Sequence, residues 1–254
     1  MNAIYPVLNR NPVRTEHTCR KMEKRMNLFD IIGPVMVGPS SSHTAGAVKI
    51  GIVSRKLLAE KVAKAEIYFH GSFLATGKGH GTDRAIVAGL LGMKVDDPQI
   101  PHSFEIAEKE NMQFMIQGID LGDVHPNSVK LMLTGISGRT LEVVAASIGG
   151  GSIEICEIDG LAANFGGDYP TLIVHNTDKP GYVAEVAAIL AAESVNIATM
   201  KLYRGSRGDN AVMVIECDQE ISEKCIRKLE ETDGIFKVTY LPIDEKTGER
   251  ENHV

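Results

Sequence analysis

The sequence contains no tryptophan and only 5% aromatic residues, so aliphatic side chains must build any core. Cysteine is scarce and scattered, at 19, 156, 217 and 225, with no C-x-x-C pair. That spacing excludes a secreted-type disulfide framework and the usual metal-ligand patterns on this chain, and it places the protein in a reducing, cytoplasmic setting. An excess of basic charge is also absent. The formal charge is −6, which excludes the basic stripe of a nucleic-acid surface. No apolar run reaches the roughly 18–20 residues of a membrane span. A serine-hydrolase elbow, G-x-S-x-G, is missing as well.

What is present is a soluble-protein balance over 254 residues, 43% hydrophobic and 24% charged, enough for about two domains. Residues 1–26 carry Pro6, Pro12 and six basic side chains (Arg10, Arg14, Arg20, Lys21, Lys24, Arg25) without apolar periodicity or an h-region, and read as a disordered extension. Met22 and Met26 leave open a later start. Residues 28–37 read as a buried lead-in. Residues 47–61 alternate as an amphipathic helix, with Ser42 or Thr44 as its cap. A strand is centred in 64–72; the glycines of "GKGHG" predict a loop; Thr82 or Asp83 caps a short helix over 85–91. From 113 to 159, strand patterns separated by Gly135–Gly138 and Gly149–Gly151 predict an antiparallel meander.

Periodicity thins over 160–169, which sets a boundary between a domain over 27–165 and one over 170–242. The second reads βαββαβ: strand 171–176, helix 180–194, strands 196–204 and 209–217, helix 221–232 and strand 235–241. The fold class is α+β, and residues 243–254 form a charged, frayed tail.

Two loops carry chemistry. "GPSSSHTAG" (38–46) surrounds His43 with Ser40, Ser41, Ser42 and Thr44 and feeds a helix N-terminus, where backbone N–H groups and the macrodipole favour an anion. A neutral imidazole near pKa 6.5 accepts a proton around neutrality. A serine-rich surface turn explains the same residues equally well. "GHGTD" (79–83) repeats the grammar with His80, Thr82 and Asp83; a capping motif is its plainer reading. His70, beside Gly71 and Ser72, belongs either to the same wall or to the core. In the second domain, Pro180 suits the first helical position, and Gly181 bares the first turn between Asn176 and the later Asn196. These three residues are candidates for a regulatory-ligand or dimer loop, with turn chemistry alone as the alternative.

"FDIIGPVMVGPSSSHTAGAVKIG" followed by "HGSFLATGKGHGTDRAIVAGLLG" resembles the beta subunit of the iron–sulfur-dependent L-serine dehydratases, over about 27–160. "DKPG" and "VNIATM" in 170–242 resemble an ACT domain. The resemblance implies a lyase, L-serine ammonia-lyase, that makes pyruvate and ammonia through aminoacrylate. It implies a four-iron, four-sulfur cluster held by cysteines of an alpha partner, whose exchangeable iron is the Lewis acid for the serine hydroxyl. His43 would take the Cα proton or line the site beside the base. Ser40, Ser41, Ser42 and Thr44 would hold the carboxylate or orient the imidazole, with His80, Thr82 and Asp83 as the facing wall. The beta domain also resembles an anion-binding domain of some phosphoglycerate dehydrogenases. ACT-like units pair, so a homodimer within a heteromeric complex is expected. A non-catalytic amino-acid-sensing subunit and a stand-alone small-anion binder remain as alternative readings.

Overall fold

The computed structural model describes residues 7–8, 36–204 and 210–243. The expectations for the rest of 1–35 and for 244–254 lie outside these residues. The chain divides into two units between Gly166 and Gly167.

In the first unit, the turn Ser41–Ala45 is a π-helical opening to α1 (Gly46–Leu58). There follow β2 (Val62–Phe69), α2 (Gly71–His80), α3 (Thr82–Leu91), the one-turn Ile100–His102, α4 (Ser103–Lys109), β3 (Gln113–Ile119), β4 (Ser128–Gly135), β5 (Thr140–Gly149), β6 (Ser152–Ile158) and β7 (Leu161–Phe165). With the two-residue β1 (Val7–Leu8), the strands form one sheet in the order β1-β3-β2-β4-β5-β6-β7. The β1–β3 and β2–β3 pairs are parallel, and the run from β2 through β4 to β7 is antiparallel. The meander therefore starts at β4, and β3 joins the sheet by a helical crossover from β2. Period-two burial sets the core face: Ala65, Ile67 and Phe69 of β2 meet Val129, Leu131 and Leu133 of β4, all buried. On the other face of β2, Lys64 and Tyr68 both donate to the Glu66 carboxylate, each at 2.8 Å.

Helix α1 packs on α3 and on β5. The α1–α3 crossing is set by glycine. A Cβ on Gly89 would stand 2.1 Å from the Val48 carbonyl oxygen, and one on Gly51 would stand 2.6 Å from that of Ile86. Only hydrogen lets the two backbones touch there, and that contact sets how closely the first half of α1 approaches the second half of α3.

Three local expectations change. The glycines of "GKGHG" do not form a loop: Gly77 and Gly79 lie inside α2. Their weak helix propensity is outweighed by Phe73, which is fully buried, and by the fit of Gly77 against Thr82. Neither Ser42 nor Thr44 caps the first helix; Ser40 does, accepting from the His43 N–H, because helical winding begins a turn earlier. Residues 160–169 also hold a strand, β7, which pairs with β6 despite its thin apolar pattern.

The second unit runs β8 (Thr171–Thr177), α5 (Tyr182–Ala192), β9 (Ile197–Arg204), β10 (Asn210–Cys217), α6 (Glu223–Glu230) and β11 (Ile235–Leu241). Its antiparallel sheet has the order β11-β8-β10-β9. Leu172, Val174, Val186, Leu190, Met213, Ile215, Cys217, Cys225 and Leu229 form its core. Helix α5 starts at Tyr182 with Gly181 as its N-cap, so Pro180 precedes the helix.

Candidate active site

His43 sits at the centre of the first unit's site because the Ser40 cap and the π-helical turn project it toward α2. Ser40 Oγ accepts from the His43 backbone N–H at 3.1 Å and lies 3.5 Å from its Nδ1. Gly38 permits the entry to this turn: its φ is +127°, and a Cβ would stand 2.5 Å from the Thr44 methyl. Thr44 is buried and donates to the His80 carbonyl at 3.2 Å, which ties the turn to the end of α2.

Across from it, His43 Nε2 lies 3.0 Å from Thr76 Oγ1 and 3.1 Å from Ser72 Oγ, one turn apart on α2. The Phe73 ring meets the imidazole edge-on at 5.3 Å, and the His80 ring is tilted against it at 5.0 Å. Burial, and then the repulsion of a charged His80, hold the His43 pKa below its usual 6.5; the Ser72 backbone carbonyl acts in the opposite direction. The imidazole is therefore neutral at neutral pH and still partly open to solvent.

His80 closes α2, and Gly81, at φ +68°, turns the chain into α3. Thr82 and Asp83 lie buried in the first turn of α3 rather than at its cap. The Asp83 carboxylate accepts from the Arg84 N–H at 2.8 Å. His80 Nδ1 and Thr82 Oγ1 are buried with no hydrogen-bond partner among the described residues. Ser41 and Ser42 lie half-buried in the π-helical turn. His70 belongs elsewhere: its Nδ1 accepts from the Leu121 N–H at 3.2 Å and pins the loop after β3.

Ser72, Thr76 and Phe73 are contacts that sequence reasoning missed. The signal was present, a serine and a threonine four residues apart on one helical face, but it shows only if the glycine-rich stretch is read as a helix.

In the second unit, Asn176 is buried, its Nδ2 donating to the Thr177 carbonyl while Oδ1 finds no partner among the described residues. Gly181 has φ +108° at the start of α5. Asn196 does not share this loop. The strand register pairs the next residue, Ile197, with Cys217, so Asn196 lies at the opposite end of the sheet, where its Nδ2 donates to Asp218 at 2.5 Å.

The donor set of the described residues does not fit an iron–sulfur cluster. Cys217 and Cys225 are buried in the second core, and burial pushes both thiols up, Cys217 to about 11, the reverse of what a thiolate ligand needs. Among the described residues no group of three or more His, Cys, Asp or Glu side chains can hold a metal ion. No helix among them is long and apolar enough to cross a membrane.

The family model described as "Serine dehydratase beta chain" matches residues 27–157. This chain belongs to the serine dehydratase beta chain family. Within that family it is 42% identical, over 85% of its length, to a Bacillus subtilis protein described as a probable L-serine dehydratase beta chain, of which it covers 98%. It is 38% identical to the L-serine dehydratase beta chain of Peptoniphilus asaccharolyticus, with 77% of this chain and 88% of that one aligned. Outside the family, a Bacillus subtilis D-3-phosphoglycerate dehydrogenase is 25% identical over 78% of this chain and 37% of its own length. Residues 170–234 match the ACT domain model, and the second unit has the βαββαβ order.

Proposed function

We propose that this chain is the beta subunit of an L-serine dehydratase, the lyase that converts L-serine to pyruvate and ammonia, and that His43 is the base for the Cα proton. One observation carries the reading: a neutral, partly open imidazole, its pKa lowered by burial and by His80, held by hydroxyls at the head of a helix. A base must be unprotonated and within hydrogen-bond reach of the proton it takes, and His43 meets the first condition at neutral pH. Ser40, Ser41 and Ser42 stand beside it at the N-terminal end of α1, where partial positive charge favours the substrate carboxylate. Thr44 and His80 brace the turn, and Thr82 and Asp83 form the facing wall behind His80. The four-iron, four-sulfur cluster is assigned to an alpha subunit, and loss of the hydroxyl belongs to that half of the site.

The test is His43→Ala, reconstituted with the alpha subunit and intact cluster. A fall in kcat of about 10²–10⁴-fold is expected, as for loss of a general base. Activity within about tenfold of wild type rejects the base role.

The ACT domain carries a second, regulatory reading, supported by the orphaned Asn176 Oδ1 near the bare Gly181 turn. A small amino acid such as L-serine is the proposed ligand, and pairing of two ACT units the proposed assembly. Titration calorimetry of the chain with L-serine tests the first: heat lost on Gly181→Val but kept on His43→Ala is the expected pattern. Sedimentation across micromolar concentrations tests the second, and a monomer throughout rejects it.

A further inference from the structure

We propose that Thr76 is a positioning residue that fixes His43 in the Nε2–H tautomer, leaving Nδ1, on the Ser40 side, as the proton acceptor. The inference rests on the reading of His43 as the base and adds which atom acts. It follows from counting hydrogens. A threonine hydroxyl has one hydrogen to give. That of Thr76 goes to the Ser72 carbonyl one helical turn back, at 2.9 Å. Toward His43 Nε2, 3.0 Å away, Thr76 Oγ1 therefore presents only lone pairs. A lone pair facing a ring nitrogen at that distance requires the nitrogen to carry the hydrogen.

Neutral imidazole has a single N–H, so Nδ1 is then bare. The surroundings of Nδ1 match. Ser40 Oγ accepts the His43 backbone N–H, which leaves its own hydrogen uncommitted and able to point at Nδ1 across 3.5 Å. That separation is too long for a strong bond, so the Nδ1 lone pair is only loosely held. The Ser72 hydroxyl, 3.1 Å from Nε2 and free to rotate, accepts beside Thr76. Phe73 and His80 flank the ring and hold it between these two edges.

The placement has a direction. Substrate must meet His43 from the edge formed by Ser40, Ser41 and Ser42, and not from the α2 side. Protonation at Nδ1 then leaves the Nε2–H on its acceptors throughout, so the ring need not turn during the step.

The test uses the full chain with ¹⁵N-labelled histidine rings, the His43 signals being assigned by their loss in His43→Gln. Two-bond ¹H–¹⁵N correlation above the His43 pKa reports which nitrogen carries the proton. The Nε2–H form is expected to dominate in wild type and in Thr76→Ser, and the two tautomers to mix in Thr76→Val and Thr76→Ala. Thr76 is exposed, and alanine is a better helix former, so loss of folding does not mimic the result. In the reconstituted enzyme, Thr76→Val should lower kcat by about 10- to 100-fold with KM nearly unchanged, and Thr76→Ser should restore it. A dominant Nδ1–H form in wild type, or tautomers unmoved by Thr76→Val, overturns the proposal. His43→Ala retaining activity sinks the base reading instead and leaves the tautomer measurement to decide the role of Thr76.

Discussion

At the scale of single residues, His43 makes a pH prediction with a definite sign. Its folded pKa lies below the unfolded value of about 6.5, through burial first and His80 second. The unfolded chain therefore binds more protons in the window just below 6.5. Stability rises with pH through that window and is lost as pH falls through the folded pKa. The acid limb of kcat/KM for the assembled enzyme should have its midpoint below 6.5, and His80→Gln should move it upward by removing the charge repulsion. A midpoint that His80→Gln leaves in place assigns the limb to another group. Cys217 and Cys225 make a simpler prediction. With both thiols buried and pushed up, neither should react with a thiol reagent in the native protein at pH 8, and both should react once it unfolds. Mass spectrometry of alkylated protein reads the outcome.

At the scale of elements, the site depends on a contact that involves no site residue. The start of α1 carries the His43 turn and the start of α3 follows His80, and the Gly51–Gly89 contact sets the distance between those helices. Gly89→Ala drives a methyl group into the Val48 carbonyl, and overpacking of this kind costs about 1–3 kcal/mol or more. A lower melting temperature is expected, together with a His43 pKa closer to 6.5 as His80 moves away. A variant as stable as wild type would mean that the helices slide apart freely. In the second unit the corresponding position is Gly234, at φ +80° and directly beneath the Tyr182 hydroxyl, where any side chain is both strained and crowded.

At the scale of the whole molecule, each unit has its own core, and the division falls between Gly166 and Gly167. Fragments 1–166 and 167–254 should each unfold cooperatively when expressed alone, followed by circular dichroism. A fragment that stays unfolded would show that its core needs the other unit. The βαββαβ order was legible because the elements of the second unit are short and regularly spaced, with turn residues between them, so local pattern and global fold agree. The first unit was less legible where pattern and packing disagree. Glycine propensity argued for a loop at 77–81, and the burial of Phe73 made a helix of it instead. β7 is only five residues long and too short to announce itself by periodicity, yet it completes a sheet edge beside β6.

The sequence alone determined the residue types of the site: an imidazole among hydroxyls at a helix start, and a second histidine next to glycine. Those follow from local backbone physics, which needs only near neighbours in the chain. Which groups touch His43 was decided by the tertiary structure. Ser72, Thr76 and His80 reach it from 29 to 37 positions away, through a helix that the local sequence disfavours and a helix crossing that two glycines allow. The same distinction separated Asn196 from Asn176 and Gly181, because strand register, and not proximity in the chain, fixes which end of a sheet a residue occupies.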